Sequence, residues 1–176
     1  MTHFDFVADD SRLFIHASSS LHGIDTDAAG VEGTLELAVA EDGSIDLTAP
    51  VTGGLTFELK RLSSGNPLYD SATEKRIEVR RYPLVEARVL ALEANGPGDE
   101  EGTWRYGVRG ELAFHGVTQP LDGEIGFRAG AGGRTVQVWG EQVIDVRAWK
   151  VKPPTLGLIK VHPDVRVRLE AVARAR

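Results

Sequence analysis

Segment after segment of this chain alternates apolar and polar side chains with a period of two, and that repetition constrains the fold more than any other feature. SRLFIHAS (11–18) sets Leu13, Ile15 and Ala17 against Arg12, Phe14 and His16. VEGTLELAVA (31–40) sets Val31, Leu35, Leu37 and Val39 against Glu32, Thr34 and Glu36. After the turn EDG (41–43), the pattern resumes in SIDLTA (44–49), LTFELK (55–60), LVEARVLAL (84–92) and TWRYGVRGELAFH (103–115). LDGEIGFR (121–128), TVQVWGEQVIDVR (135–147) and VRVRLEAV (165–172) complete the series. A strand places successive side chains on opposite faces. The chain therefore predicts eight or nine strands with mostly short connections.

The main interruption is NPLYDSATEKRIEVRRYP (66–83). Ser71 followed by Glu74 matches a capping box, which predicts a helix over Ala72 to Arg80 stopped by Pro83. ANGPGDEEG (94–102) and AGAGG (129–133) read as hairpin loops, and the proline-bearing stretch 149–163 as a crossing loop. Strands as long as 103–115 favour closure of the sheet on itself over a sandwich. The expected fold is all-β: one domain over residues 1–176, an antiparallel up-and-down eight-stranded barrel with a short helical insert.

Composition narrows the function. The formal net charge of −6 disfavours nucleic acid and anionic membrane surfaces as partners. With no cysteine, disulfides, thiolate metal sites and a cysteine nucleophile are excluded. MTHFDFVADD has neither the basic nor the apolar region of a signal peptide. No apolar run approaches the roughly 18 residues of a membrane helix. The expectation is a cytoplasmic chain without membrane insertion.

Candidate chemistry is sparse. His115 falls on the polar parity of its strand beside a turn, with no nucleophile or orienting carboxylate in a local motif. A structural role at the turn is expected, with Thr118 and Gln119 as partners. His16 and His22 are spaced unlike zinc ligands, and the remaining ligands are not evident. No metal site is expected. His3 and His162 fall in a terminus and a loop. GxSxG, P-loop and GxGxxG motifs are all missing. No cofactor and no catalytic residue follows from the sequence.

The apolar parity instead describes a container. It comprises Ile15, Leu35, Leu37, Leu55, Phe57, Leu59, Val89, Tyr106, Val108, Leu112, Phe114, Ile125, Phe127, Val138, Ile144, Val167 and Leu169. Small eight-stranded barrels either fill themselves with such side chains or hold one small ligand. Gly33, Gly110, Gly123 and Gly140 share the parity, and they either leave a cavity or permit strand coiling. Burying a methylene is worth about 0.8 kcal/mol, so ten buried carbons of an amphiphile supply about 8 kcal/mol before ordering costs.

Three stretches carry a family resemblance. RGELAFHGVTQPLDGEI resembles the strand–turn–strand signature of the YceI-like family, matched by Gly110, Leu112, His115, Gly116, Val117 and Thr118. SGNPLYDSATEKRIEVRRYPLVEARV (64–89) is similar to that family's helical insert followed by Tyr-Pro, through Asp70, Tyr82 and Pro83. VIDVRAWKVKPPTLGLIKVHPDVRVRLEAVA (143–173) resembles its closing strand, loop and strand. The opening SRLFIHASSSLH echoes the family only loosely, and Ala148-Trp149-Lys150-Val151 replaces a usual Asp-Phe-Gly-like stretch. The resemblance implies a lipocalin-like barrel that holds a polyisoprenoid or another long amphiphile, often as a dimer. At the mouth, Asn66, Asp70, Arg81, Tyr82 and Lys152 are the expected head-group contacts.

The resulting expectation is non-catalytic binding or carriage of a long-chain lipid, polyisoprenoid or fatty-acid-like. The alternative is a filled barrel acting as a homodimeric, stress-associated interaction module, with Phe14, Trp139 and Trp149 at the contact. A third reading is a small enzyme or haem protein using His16 or His115.

Overall fold

The computed structural model describes residues 1–176. Its strands are β1 (Thr2–Phe6), β2 (Arg12–Ser19), β3 (Gly23–Ala29), β4 (Glu32–Leu37), β5 (Thr52–Glu58), β6 (Leu84–Pro97), β7 (Thr103–Phe114), β8 (Val117–Ala129), β9 (Thr135–Asp145), β10 (Thr155–Leu156) and β11 (Ile159–Ala175). One α-helix, α1 (Pro67–Arg76), interrupts them. Every pairing is antiparallel, and the order β1-β4-β5-β6-β7-β8-β9-β11 returns to β1. The sheet is thus a closed eight-stranded barrel, in which β2 takes the place of β1 beside β11 past the β1–β2 break and β3 continues the wall from β2.

The closure turns on β11. One edge pairs with β9 from Asp164 to Arg174. The other takes β2 along Val161–Glu170 and then β1 at Ala173–Ala175. Between β1 and β2 the chain makes a single 3₁₀ turn, and Val172 lies opposite this break. The buried Ser11 hydroxyl repairs it by donating to the Val172 carbonyl at 3.2 Å and accepting from the Val172 amide at 3.1 Å.

Hairpins hold the meander in register. Phe114 pairs with Val117 across a two-residue turn, and both His115 (φ 53°) and Gly116 (φ 72°) are left-handed. Two central residues with positive φ define the turn whose twist matches flanking strands, and histidine is among the residues enriched in that region.

Several local expectations are corrected. SIDLTA forms no strand; only an isolated Val39–Ile45 bridge remains. Asp42 accepts from the Ser44 amide and hydroxyl, and Asp46 from the Thr48 amide and hydroxyl. Such local side-chain bonds divert a backbone from the ladder into turns. The short β1 and the polar β3 were not anticipated. The helix begins at Pro67 rather than Ala72, because the Asn66 side chain accepts from the Leu68 and Tyr69 amides and Pro67 opens the first turn. It ends at Arg76, so Ser71 and Glu74 lie within it and the chain turns through Glu78 (φ 50°). The crossing loop is confined to residues 150–154, since β10 and β11 form a hairpin within the expected stretch.

The interior divides in two. At one end Phe4, Leu37, Ile45, Tyr106, Phe127, Val136, Val138 and Ala173 form a solid plug. The Ile45 amide donates to the Tyr106 hydroxyl at 2.7 Å, and Tyr106 meets Phe127 edge-to-face at 6.2 Å between ring centroids. The other end is hollow.

Candidate functional site

The hollow is a cavity of about 330 Å³ lined by 37 residues, 23 of them hydrophobic. That size lies in the range of small-molecule sites. The barrel wall contributes Leu13, Ile15, Ala17, Leu55, Phe57, Val108, Leu112, Phe114, Ile125, Ile144, Val167 and Leu169, which are inward positions of the period-two pattern. Gly123 and Gly140 also line it, in tight surroundings: a Cβ at Gly123 would meet Gln142 Oε1 at 3.3 Å, and one at Gly140 the Glu124 carbonyl at 3.2 Å. Gly33 and Gly110 are tighter still. A Cβ there would meet the Gly54 carbonyl at 2.2 Å and the Arg88 carbonyl at 2.7 Å, so these glycines permit close strand approach.

The roof comes from α1 and the segment before β10, through Tyr69, Thr73, Ile77, Val151, Pro153 and Pro154. Its anchoring is specific. The buried Trp149 indole donates to the Leu112 carbonyl at 2.9 Å. His115 contacts the Trp149 carbonyl through Nδ1 at 2.9 Å and the Glu78 carboxylate through Nε2 at 2.7 Å. His115 therefore ties the turn after α1 and the turn after β9 to the β7–β8 hairpin. Thr118 and Gln119, its expected partners, are not its partners; Gln119 instead donates to the Ala148 carbonyl at 3.1 Å.

Polar groups face the hollow at its margins. The Thr73 hydroxyl is buried with no hydrogen-bond partner. Burial pushes the Tyr69 hydroxyl up from its usual range, so Tyr69 stays a neutral donor. Asp70 lines the cavity while accepting from the Ser64 amide at 3.0 Å and hydroxyl at 2.6 Å.

One side of the wall is split. β8 and β9 pair only from Ile125–Gly140 to Ala129–Val136. Beyond Gly140, β9 continues to Asp145 and β8 runs back to Val117 without a ladder between them. Two glutamines span the gap: Gln142 donates to the Asp122 carbonyl at 2.9 Å, and Gln119 reaches Ala148. Leu121, Asp122, Gly123, Glu124, Glu141, Gln142 and Ile144 border the cavity along this split.

Set against the sequence expectations, Ile15, Leu55, Phe57, Leu59, Val108, Leu112, Phe114, Ile125, Ile144, Val167, Leu169 and Asp70 meet in the cavity. Leu37, Tyr106, Phe127 and Val138 lie in the plug, Leu35 packs against it, and Val89 sits half-buried beside Gly53. The parity was shared, but the height along the barrel differed. Four mouth candidates do not line the hollow. Asn66 caps α1, Lys152 is exposed, Tyr82 packs on His115 and Gly116, and Arg81 stacks over Tyr82 at 5.0 Å. The roof residues, His162 and the split were missed, because alternation carries no signal for a helix, a loop or an unpaired strand edge. His16 points outward onto Asp25 at 2.6 Å, and no group of three or more His, Asp or Glu side chains is placed to hold a metal.

Comparisons with known proteins agree with this geometry. Residues 6–173 match the YceI-like domain. A polyisoprenoid-binding domain from Saccharophagus degradans, implicated in plant cell wall breakdown, superposes with a TM-score of 0.73 at 13% identity, covering 100% of both chains. Burkholderia cenocepacia BcnA gives 0.71 at 13% identity over 96% of this chain and 99% of its own. A Campylobacter jejuni YceI protein gives 0.62 at 12% identity over 87% and 85%. No curated protein sequence matches. At such identities the structures share the fold, while the domain match extends over nearly the whole sequence: the chain belongs to the YceI-like family.

Proposed function

We propose that this barrel binds and carries a long-chain amphiphile, polyisoprenoid or fatty-acid-like, in its interior without catalysing a reaction on it. The carrying observation is the 330 Å³ apolar hollow between the plug and the α1 roof. An apolar cavity without a ligand forfeits dispersion contacts along its whole lining, and an acyl or prenyl chain restores them. One S. degradans relative is a polyisoprenoid-binding domain, which supports the same ligand class. A surface role as a homodimer draws less support. Trp149, one of its three expected contact aromatics, is buried, and Phe14 is covered by the Arg168 guanidinium 4.2 Å from its ring centroid.

Native mass spectrometry before and after organic extraction tests the proposal. The expected result is a mass excess that matches a lipid in the extract. A clean apo mass, with no uptake of a prenyl probe by the purified protein, refutes it. Val108→Trp, which places an indole in the hollow, should lose uptake while its melting temperature stays near wild type.

A further inference from the structure

The split between β8 and β9 is a break in the ladder alongside the hollow. It is a window, closed below by the Ile125–Gly140 pairing and above by the turn that Trp149 and His115 dock onto β7–β8. The five residues of β9 beyond Gly140 rise about 3.3 Å each, so the window is about 16 Å long. The α1 end, by contrast, is roofed by Tyr69, Ile77, Val151 and Pro154, all buried. Gln142 lies at an inward position, two residues from the inward Gly140 and Ile144, where the pattern calls for an apolar side chain. Its amide instead bonds the Asp122 carbonyl, replacing one rung of the absent ladder. Strand edges without a ladder partner offer amides and carbonyls to whatever occupies the gap.

We infer that this window receives the polar end of the ligand, with Gln142 as a specificity-determining contact, and that the preferred head group is an uncharged hydrogen bonder such as a hydroxyl or amide rather than a phosphate. The inference rests on the carrier reading above. Asp122, Glu124 and Glu141 border the opening. Arg166 offsets Glu141 at 3.3 Å and Arg109 stands opposite Asp122 in the β7–β8 ladder, while Glu124 accepts only from the neutral Asn95 at 2.8 Å, which leaves the lip net negative. Exposed like charges within one Debye length, about 10 Å at 0.1 M salt, repel an anionic head. A hydroxyl or amide replaces the Gln142–Asp122 bond at no electrostatic cost.

Geranylgeraniol and geranylgeranyl monophosphate, identical in chain and different in head, separate the possibilities by fluorescence displacement at low salt. The alcohol should bind at least ten-fold more tightly, and the preference should shrink as ionic strength rises. Asp122→Asn/Glu124→Gln should cut it at least three-fold, and Gln142→Leu should weaken the alcohol more than the phosphate. Glu74→Gln, on the α1 side, should leave the ratio unchanged; thermal melts confirm that each variant is folded. Equal binding of both probes, or a preference untouched by the lip variants, overturns the window and leaves carriage standing. Failure of both probes to bind wild type overturns carriage and the window with it.

Discussion

Tyr106→Phe removes one oxygen from the plugged end and separates the roles of the two halves of the barrel. The Tyr106 hydroxyl accepts the Ile45 amide at 2.7 Å, and both residues are buried. The substituted ring keeps its edge contact with Phe127, so the packing change is minimal. The buried Ile45 amide then has no acceptor, at a cost of about 1–3 kcal/mol. With a urea slope near 2 kcal/mol/M, the unfolding midpoint should fall by about 0.5–1.5 M at unchanged slope. Tyr106 lies outside the cavity lining, so uptake of a prenyl probe should stay at the wild-type level. The paired assays are urea unfolding followed by tryptophan fluorescence, and probe titration at a denaturant-free temperature well below melting. Loss of uptake with an unchanged midpoint would refute the division into plug and hollow. An unchanged midpoint alone would show that the Ile45 amide has another acceptor.

Ser11→Ala should destabilise the barrel by about 1–3 kcal/mol by stranding the Val172 amide at the β1–β2 break; hydrogen exchange at Val172 should accelerate more than at Ala171 or Ala173. Gly126→Ala should lower the urea midpoint, since its Cβ would fall 2.1 Å from Cε2 of Trp139, and displacing a packed indole costs about 1–3 kcal/mol. Asp42 and Asp46 are held below the usual carboxylate range by the hydroxyls and amides of Ser44 and Thr48. A depressed carboxylate contributes stability that is complete above the unfolded value, near pH 4, and is lost as pH falls through the folded one. Asp42→Asn/Asp46→Asn should therefore flatten the acid limb of melting temperature between about pH 2 and 4, whereas an unchanged acid limb would assign it to other carboxylates.

Period-two patterning reached far into this fold because a barrel wall has two faces, one apolar and one wet, and each residue declares its face locally. Leu13, Ile15, Ala17, Phe57, Leu112, Phe114, Val167 and Leu169 are all inward as alternation requires. His115 was legible as a turn residue for the same reason. Height along the axis was not legible. Leu112 lines the hollow and Tyr106 fills the plug, although six residues of unbroken parity join them. What distinguishes them is the loop carrying Ile45, which folds over Tyr106, and α1, which roofs without filling; both are set by contacts between residues distant in sequence. The partners of His115, Glu78 and Trp149, lie 37 and 34 residues away. The window arises because β8 and β9 pair at one end and diverge at the other, and no residue pattern within either strand encodes that divergence. The sequence determined which side of the wall each residue faces, since that follows from local backbone geometry and side-chain polarity. Tertiary structure alone decided where the interior is empty and where the wall opens, because voids and gaps belong to the relation between elements and to none of them singly.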